Sequence, residues 1–311
     1  KLSLEQINKI LEGGAKYLVE KGYGEQEDVE NCEASGNLEW ADANAVSLRA
    51  KERGRDQVGT LGSGNHFLEI QKVEEVFDEE IAQKFNLFKD QIVIMIHTGS
   101  RGLGHQICTD NLKKMVGALQ KYQIRLPDRE LACAPFKSPE GKAYLAAMSC
   151  GANFAWANRQ MITYYIRKVW QRIIRRSSLR LLYDVAHNIA KIEEHFGQKV
   201  IIHRKGATRA FPPNHPEIPK RYQETGQPVI IPGSMGTASY VLVGIERGRD
   251  AFFSANHGAG RTMSRKAAVR SFSGQGIIKD LQERGITVKC FSIRGIAEEA
   301  PQAYKDIDEV I

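Results

Sequence analysis

Short apolar runs that end in loops of glycine, histidine and other small residues recur along this chain, and they limit the folds open to it. A short apolar run between turn residues is typical of a buried strand. The loops that follow such runs lie at 59–66, 97–102, 184–188, 203–209, 232–236 and 257–261. Glycine lets the main chain approach a ligand closely, and loops at strand ends commonly carry function. The pattern therefore predicts a sheet-rich centre whose loops form the functional site.

Helical patterns, with capping signals at Ser3 and Ser138, flank this sheet-rich centre. The predicted helices lie at 3–18, 106–122, 138–175 and 264–270. The predicted strands lie at 92–96, 179–183, 200–203, 229–231, 239–243, 251–254 and 288–293. The run 92–96 favours a fully buried strand, whereas His195 falls in a charged stretch that favours a helix. The predicted fold class is α+β: a single mixed α/β domain with a helical insertion at about 106–178.

The composition is that of a soluble globular protein, with 42% apolar and 26% charged residues in 311. No apolar run approaches the ~20 residues of a membrane span, so no membrane partner is expected. The five cysteines are widely spaced without a Cys-x-x-Cys pair, which favours a reducing, cytoplasmic location. A net charge of +7 is compatible with a polyanionic partner. Its densest part, 167–180, fits a solvated helix end as well as an RNA contact.

Histidines in the glycine-rich loops are candidates for metal binding and catalysis. His66, His97 and His187 come from different loops, and three imidazoles would leave positions on a metal open for a substrate. The alternative is a set of unrelated, hydrogen-bonded histidines. His257 lies between a short apolar stretch and two glycines, an arrangement that suits a nucleophile attacking a phosphate.

The loop 232–239 supplies hydroxyl groups and main-chain donors without charge, which suits a nucleotide. It is neither a Gly-x-x-x-x-Gly-Lys-[Ser/Thr] loop nor a Gly-x-Gly-x-x-Gly loop, so the P-loop and dinucleotide-binding folds are excluded. Cations that are candidates for binding oxyanions, or are simple surface charges, are Arg101, Arg204, Lys205, Arg209 and Arg261.

Together these motifs resemble, in order, those of the RtcB family of RNA-splicing ligases. They are Gly62-Ser-Gly-Asn-His-Phe-Leu-Glu69, His97-Thr-Gly-Ser-Arg-Gly-Leu-Gly-His105, Asp184-Val-Ala-His-Asn-Ile-Ala190, His203-Arg-Lys-Gly-Ala-Thr-Arg209, Pro232-Gly-Ser-Met-Gly-Thr-Ala-Ser-Tyr240 and His257-Gly-Ala-Gly-Arg261. The resemblance implies a GTP- and Mn²⁺-dependent ligase. Such an enzyme joins RNA 3′-phosphate or 2′,3′-cyclic phosphate ends to 5′-hydroxyl ends through a histidine–GMP intermediate.

The resemblance also assigns roles to individual residues. It implies that His257 is the nucleophile, that His66, His97 and His187 bind Mn²⁺, and that Arg101, Lys205 and Arg209 contact RNA phosphates or pyrophosphate. The residues that it places around GTP are Asn65, His66, Phe67, Leu68, Glu69, His187, Asn188, Pro232, Gly233, Ser234, Met235, Ser239, His257, Gly258, Ala259 and Gly260. The expected RNA is a pair of tRNA halves, and an activator of the archease type is a further expected partner.

The chain departs from the family pattern in two places. The family binds two metal ions with an additional Asp and Cys from an Asp-x-x-Cys segment, which this sequence lacks, and it ends in a lysine-containing segment that is also absent. We therefore expect residues 1–311 to form one RtcB-like catalytic domain that is truncated at both ends. The alternatives are a metal-dependent phosphoesterase acting on cyclic phosphates and, if the chain is complete, an inactive RNA-binding piece.

Overall fold

The computed structural model describes the main chain of residues 1–311 and every side chain except that of Arg129. Helices and strands are mixed along the chain, so the predicted α+β class is confirmed. Contacts divide the chain into two compact units. The first comprises Lys1–Leu61 and Ile96–Asp184, and the second comprises Gly62–Met95 and Val185–Ile311. That the whole chain acts as one truncated domain stays a prediction.

The regular elements are named here in chain order. The α-helices are α1 (Leu4–Glu20), α2 (Gln26–Glu30), α3 (Leu48–Gly54), α4 (Glu79–Phe85), α5 (Arg101–Lys121), α6 (Pro139–Ile173), α7 (Arg265–Ser271), α8 (Gly274–Glu283) and α9 (Ile293–Glu298). The strands are β1 (Phe67–Lys72), β2 (Ile92–His97), β3 (Asn188–His195), β4 (Gln198–Lys205), β5 (Ala207–Arg209), β6 (Pro228–Ile231), β7 (Tyr240–Val243) and β8 (Ser254–Asn256). None of the helices in the described part of the chain has the length and apolar character of a membrane span.

The first unit is helical, and α1 packs along α6 at its centre. Ser3 and Gln6 form the predicted capping box at the start of α1, and Ser138 caps α6 by accepting a hydrogen bond from the Gly141 amide. The core between them is apolar and includes Leu11 and Phe154, both fully buried. The helices predicted near 106–122 and 138–175 are therefore confirmed as α5 and α6, because capping and helical periodicity are local signals.

A glycine permits the close approach of α1 to a neighbouring loop in the first unit. Gly14 has φ +57 inside α1, and a Cβ at this position would lie 2.1 Å from the carbonyl oxygen of Gly36. Next to this contact, the buried Asn153 of α6 accepts a hydrogen bond from the Leu38 amide at 2.7 Å and donates one to the Leu11 carbonyl at 2.9 Å. The buried amide thus satisfies main-chain groups that helix packing would otherwise leave unpaired.

The second unit holds the strands, which pair two by two. Three of the pairs are antiparallel: β3 with β4, β5 with β8, and β6 with β7. The remaining pair is β1 with β2, and the end of β2 passes into the first unit. The central sheet-rich region predicted from the sequence is thus built from two-stranded sheets, and its apolar cores lie under β6 and between α8 and α9.

Three strand predictions are wrong in place or in kind. The segment 179–183 is irregular, because the neighbouring Asp184 exchanges main-chain hydrogen bonds with 31–33 instead of joining a sheet. The segment 288–293 is also irregular until α9 begins at Ile293, and its Val288 packs against the apolar cluster of α8 and α9. A 3-10 helix, Glu246–Ala251, precedes β8, so the strand predicted at 251–254 begins later, at Ser254.

Two further predictions about burial and conformation are corrected. Strand β2 is confirmed but is only partly buried, and its first residue, Ile92, is 48% exposed. His195 is not helical; it ends β3 and is buried beside Glu193. The charges misled the sequence interpretation because they face inward, where Arg204 pairs with Glu193.

Candidate functional site

The two histidines at the centre of the candidate site follow from strand register around Gly206. His187 immediately precedes β3 and His257 immediately follows β8. Antiparallel pairing sets Asn188 opposite Lys205, and Asn256 opposite Ala207. Lys205 and Ala207 flank Gly206, so both histidines must arrive at the same turn, although they are distant in sequence.

Hydrogen bonds of Gly206 fix this junction. Its amide donates to the His187 carbonyl at 3.0 Å and to Asn188 Oδ1 at 3.1 Å, and its carbonyl accepts from the His257 amide at 3.1 Å. Gly206 has φ +65, a conformation that costs other residues about 1–2 kcal/mol. A glycine therefore holds the main chains of both histidines at one point.

The two imidazole rings stack on each other in the second unit. Their centroids are 3.6 Å apart with 4° between the ring planes, and ring nitrogens of His187 and His257 lie within 4.8 Å of each other. Burial lowers the pKa of His257 to about 4, so its imidazole is neutral at pH 7. A neutral imidazole keeps a lone pair on one ring nitrogen, which can attack an electrophile or bind a metal.

A second polar group connects β1 to the loop before β7. Gln71 donates to Glu69 Oε2 at 2.7 Å and to the Ser239 hydroxyl at 3.2 Å, and that hydroxyl accepts from the Gly233 amide at 3.0 Å. Burial raises the pKa of Glu69, an effect that the hydrogen bond from Gln71 partly offsets. The sequence interpretation missed Gln71, although its position two residues after Glu69 places both on one face of the strand.

The loop between β6 and β7 has a shape of its own. The Ser234 amide donates to Thr237 Oγ1 at 2.8 Å, and the Thr237 amide donates to the Ser234 carbonyl at 3.1 Å. The side chain of Met235 packs on the cluster of α8 and α9, so it anchors the loop. A Cβ on Gly258 would lie 3.6 Å from the Pro232 carbonyl oxygen, which brings this loop beside the glycines that follow His257.

The remaining predicted nucleotide-binding residues divide by location. Asn65 is exposed and His66 half-buried, just before β1. The burial of β1 alternates, so Phe67 shares the face of Glu69, whereas the side chain of Leu68 is 39% exposed on the other face. Ala259 packs against the apolar core under β6. The predicted metal ligand His97 is the last residue of β2 and belongs to the first unit.

Arg204, a candidate oxyanion ligand in the sequence, is instead a buried structural cation. Its guanidinium contacts Glu193 Oε1 at 2.5 Å and Oε2 at 2.9 Å, with both side chains almost fully buried. It also donates to the Phe252 carbonyl at 3.0 Å and the Ser254 hydroxyl at 3.0 Å. Arg204 therefore holds the segment that leads through β8 to His257.

Two other candidate cations are also engaged within the protein. Arg209 is 1% exposed, donating to Glu217 Oε2 at 2.8 Å and Gln227 Oε1 at 2.9 Å, so burial and pairing argue against an RNA contact. Arg261 donates to Glu299 Oε2 at 2.9 Å and to the Tyr304 hydroxyl at 2.9 Å.

The last two candidate cations keep some access to solvent. Lys205 is exposed at the end of β4, next to Gly206. Arg101 is half-buried at the start of α5, where its Nε donates to the Thr60 hydroxyl at 3.1 Å. Both side chains are accessible enough to contact a phosphate, and that contact stays a prediction.

These features define a class: a mixed α/β protein with a histidine-centred polar site, formed by glycine- and serine-rich loops at strand ends. A comparison with known families then identifies the chain more closely. All of residues 1–311 match the family described as tRNA-splicing ligase RtcB. The chain therefore belongs to the RtcB family, as its motifs indicated.

Curated relatives agree with this assignment. The tRNA-splicing ligase RtcB of Pyrococcus abyssi is 54% identical over 320 residues, which cover 100% of this chain and 35% of that protein. The ligase of Thermococcus kodakarensis is 52% identical over 320 residues, covering 100% of this chain and 66% of its own. That of Nanoarchaeum equitans is 51% identical over 321 residues, covering 100% and 67%. The chain thus spans about a third to two thirds of the length of these relatives.

Proposed function

We propose that this chain carries the nucleotidyl-transfer centre of a GTP-dependent RNA ligase. Such an enzyme joins RNA ends that bear a 3′-phosphate or 2′,3′-cyclic phosphate to ends that bear a 5′-hydroxyl. The observation that carries the proposal is the stacked pair of His187 and His257 at Gly206, in a chain of the RtcB family. Histidine is one of the residues that form covalent intermediates as a nucleophile, and a neutral imidazole has the free lone pair that such an attack needs.

His257 acts as the nucleophile in this proposal. A ring nitrogen attacks the α-phosphorus of GTP, an N–P bond forms, the bond to the bridging oxygen breaks, and pyrophosphate leaves. An oxygen of the RNA 3′-phosphate then displaces the imidazole, which restores His257 and transfers GMP to the RNA. The 5′-hydroxyl finally attacks that RNA phosphate, loses its proton and expels GMP. A cyclic phosphate end must first be opened by water to the 3′-phosphate.

Loops of the second unit position the nucleotide in this scheme. The main-chain amides of Met235 and of 258–260 are suited to bind phosphate oxygens, because the neighbouring glycines leave the main chain open to a ligand. The amides of Gly233, Ser234 and His257 already donate within the protein. Glu69 is held by Gln71 beside Ser239, where a carboxyl group can accept hydrogen bonds from a base or a ribose hydroxyl. Asn65 and Asn188 add exposed amide groups at the same strand ends.

Imidazole nitrogens fit a transition-metal ion, and the choice of Mn²⁺ rests on the family rather than on this donor set, because Mn²⁺ generally prefers oxygen ligands. We propose His66, His97 and His187 as its protein ligands. A bound Mn²⁺ would neutralise phosphate charge during displacement. His257 supplies the attacking nitrogen, and Gly206 fixes its main chain relative to His187. A cytoplasmic location, tRNA halves as the substrate and an archease-type activator stay predictions.

Labelling with α-³²P GTP tests the proposal. In the presence of Mn²⁺ we expect a covalent label on the protein that is labile in acid and stable in alkali, as a phosphoramidate should be. His257→Ala should abolish the label, whereas His105→Ala, which removes an exposed histidine of α5, should retain it.

Two results would contradict the proposal. A label that persists in His257→Ala would assign the nucleophile elsewhere. Hydrolysis of the cyclic phosphate end of RNA to a phosphomonoester without GTP, together with no label in the unmodified protein, would instead favour the metal-dependent phosphoesterase.

A further inference from the structure

The end of α6 carries a concentration of positive charge that the candidate site does not use. No acidic residue occurs between Glu140 and Asp184, although many basic residues do. Arg159 is paired with Asp184 and Arg167 with Asp28, which leaves the charges toward the end of the segment. These exposed cations, named here the basic turn, are Lys168, Arg172, Arg175, Arg176 and Arg180.

The fold draws these cations onto one surface. Arg175 has φ +60 and reverses the chain where α6 ends. The returning segment is tied to the helix, because Trp170 Nε1 donates to the Ser177 carbonyl at 3.1 Å and Arg167 Nε donates to the Leu179 carbonyl at 2.9 Å. The arginines beyond the helix are thus held back beside those of its last turns, rather than trailing from it.

Aromatic surface accompanies the charge. Tyr165, Lys168 and Arg172 have the spacing of one helical face. Tyr165 is 52% exposed, and Lys168 Nζ lies 5.1 Å from the centroid of the Tyr164 ring. Exposed aromatic rings beside cations are the combination that binds single-stranded nucleic acid, with rings stacking on bases and cations contacting phosphates.

The helix dipole does not explain all of this charge. A cation in the last turn of a helix, such as Arg172, stabilises the negative end of the dipole by about 0.3–1 kcal/mol. That effect falls off within one turn, so it gives no reason for Arg176 and Arg180, which follow the helix. Both of these arginines are exposed to solvent.

We propose that the basic turn, together with Tyr165, binds single-stranded RNA by its phosphates and bases. This rests on the proposed function for the identity of the RNA, but the surface lies outside the histidine and glycine loops. It is a site for holding the RNA strand, separate from the residues that activate GTP.

The test measures binding of a fluorescent single-stranded RNA with a 5′-hydroxyl and a 3′-phosphate to the full chain across salt concentrations. The triple variant Arg172→Gln, Arg176→Gln and Arg180→Gln removes three phosphate contacts. The slope of log K against log salt should become shallower by about 2, and binding at 0.1 M salt should weaken roughly a hundredfold. Tyr165→Ala should weaken binding about fivefold or more with no change in slope.

A matched control removes the same charge from the first unit with the variant Lys16→Gln, Lys113→Gln and Lys114→Gln, all exposed on α1 and α5. It should keep most of the affinity. Binding by the basic-turn variant within twofold of the unmodified protein, or an equal loss in the control, would overturn the proposal.

Labelling of His257 with GTP separates this proposal from the proposed function. The basic-turn variant should be labelled like the unmodified protein, because it changes no residue of the histidine site. If no label forms in any variant, the ligase proposal fails while the RNA-binding comparison still decides the role of the basic turn.

Discussion

Replacement of Glu193 should show how firmly the interior holds the segment that carries His257. Glu193 lies on β3 with a fully buried side chain, and its partners are Arg204 on β4 and His195. Arg204 also binds the Phe252 carbonyl and the Ser254 hydroxyl, just before His257 in the chain. Glu193→Ala therefore leaves a buried guanidinium without its counter-charge and loosens the entry to β8.

The expected magnitude follows from this burial. Removing one partner of a buried ion pair costs about 3–5 kcal/mol, since the remaining charge is desolvated and unpaired. At roughly 2 °C per kcal/mol for a chain of this size, the melting temperature should fall by roughly 6–10 °C. The double variant Glu193→Leu with Arg204→Met replaces the pair by apolar groups of similar size, so it should recover most of the loss.

The assay is thermal unfolding followed by circular dichroism, with GTP labelling of His257 measured at a temperature where each variant is folded. Burial acts to raise the pKa of Glu193, but the hydrogen bonds and charge of Arg204 outweigh it and hold that pKa below its ordinary value. The pair therefore stabilises the fold above the ordinary pKa of Glu, and this contribution is lost as pH falls through the folded-state pKa. The difference between the unmodified protein and Glu193→Gln should shrink in acid.

Two outcomes would refute this reasoning. The first is that Glu193→Ala unfolds within about 1 kcal/mol of the unmodified protein, which is the range of an exposed pair. Alternatively, the double variant could be as unstable as the single one, which would mean that packing, rather than an unpaired charge, sets the loss.

Two further predictions concern a backbone conformation and a carboxylate. Gly206→Ala should lower the free energy of unfolding by about 1–2 kcal/mol and reduce GTP labelling. The control is Gly197→Ala, at φ +73 in the turn between β3 and β4, which should lower the melting temperature as much and leave labelling unchanged. Equal labelling in both variants would contradict the role of Gly206. Burial opposes ionisation of Asp28, but the hydrogen bonds from Arg167 outweigh it and lower the pKa of Asp28. Asp28→Asn should therefore destabilise the protein at pH 7, and progressively less as pH falls below about 4, as measured in melting curves. A difference in stability between variant and unmodified protein that stays constant across that pH range would contradict this prediction.

The helices were predictable because their signals are local. Capping by Ser3 and Ser138, and the helical periodicity along α1 and α6, are set by residues a few positions apart. Strand β3 gave no such signal, because its inward positions carry Lys191, Glu193 and His195 instead of apolar residues. Glu193 is buried with Arg204 of the next strand as its ion-pair partner, and a sequence pattern does not reveal a partner across a sheet.

The same division holds for the candidate cations. The sequence marks Arg204, Arg209 and Arg261 only as positive charges near glycine-rich loops. In the tertiary structure, Arg204 forms an ion pair with Glu193 and Arg209 forms one with Glu217. The two carboxylates come from different parts of the second unit. An arginine's role depends on which carboxylate lies beside it in the folded chain. Its sequence context alone therefore could not distinguish a structural ion pair from a phosphate contact.

By itself, the sequence determined that histidine, glycine and serine loops follow the strands, and it determined the RtcB family. It did not determine that His187 stacks on His257, or that burial keeps the latter neutral at pH 7. Both depend on antiparallel registers that meet at Gly206, where main-chain hydrogen bonds join residues distant in the chain. Register is a property of paired strands, so only the folded chain could bring the two imidazoles together.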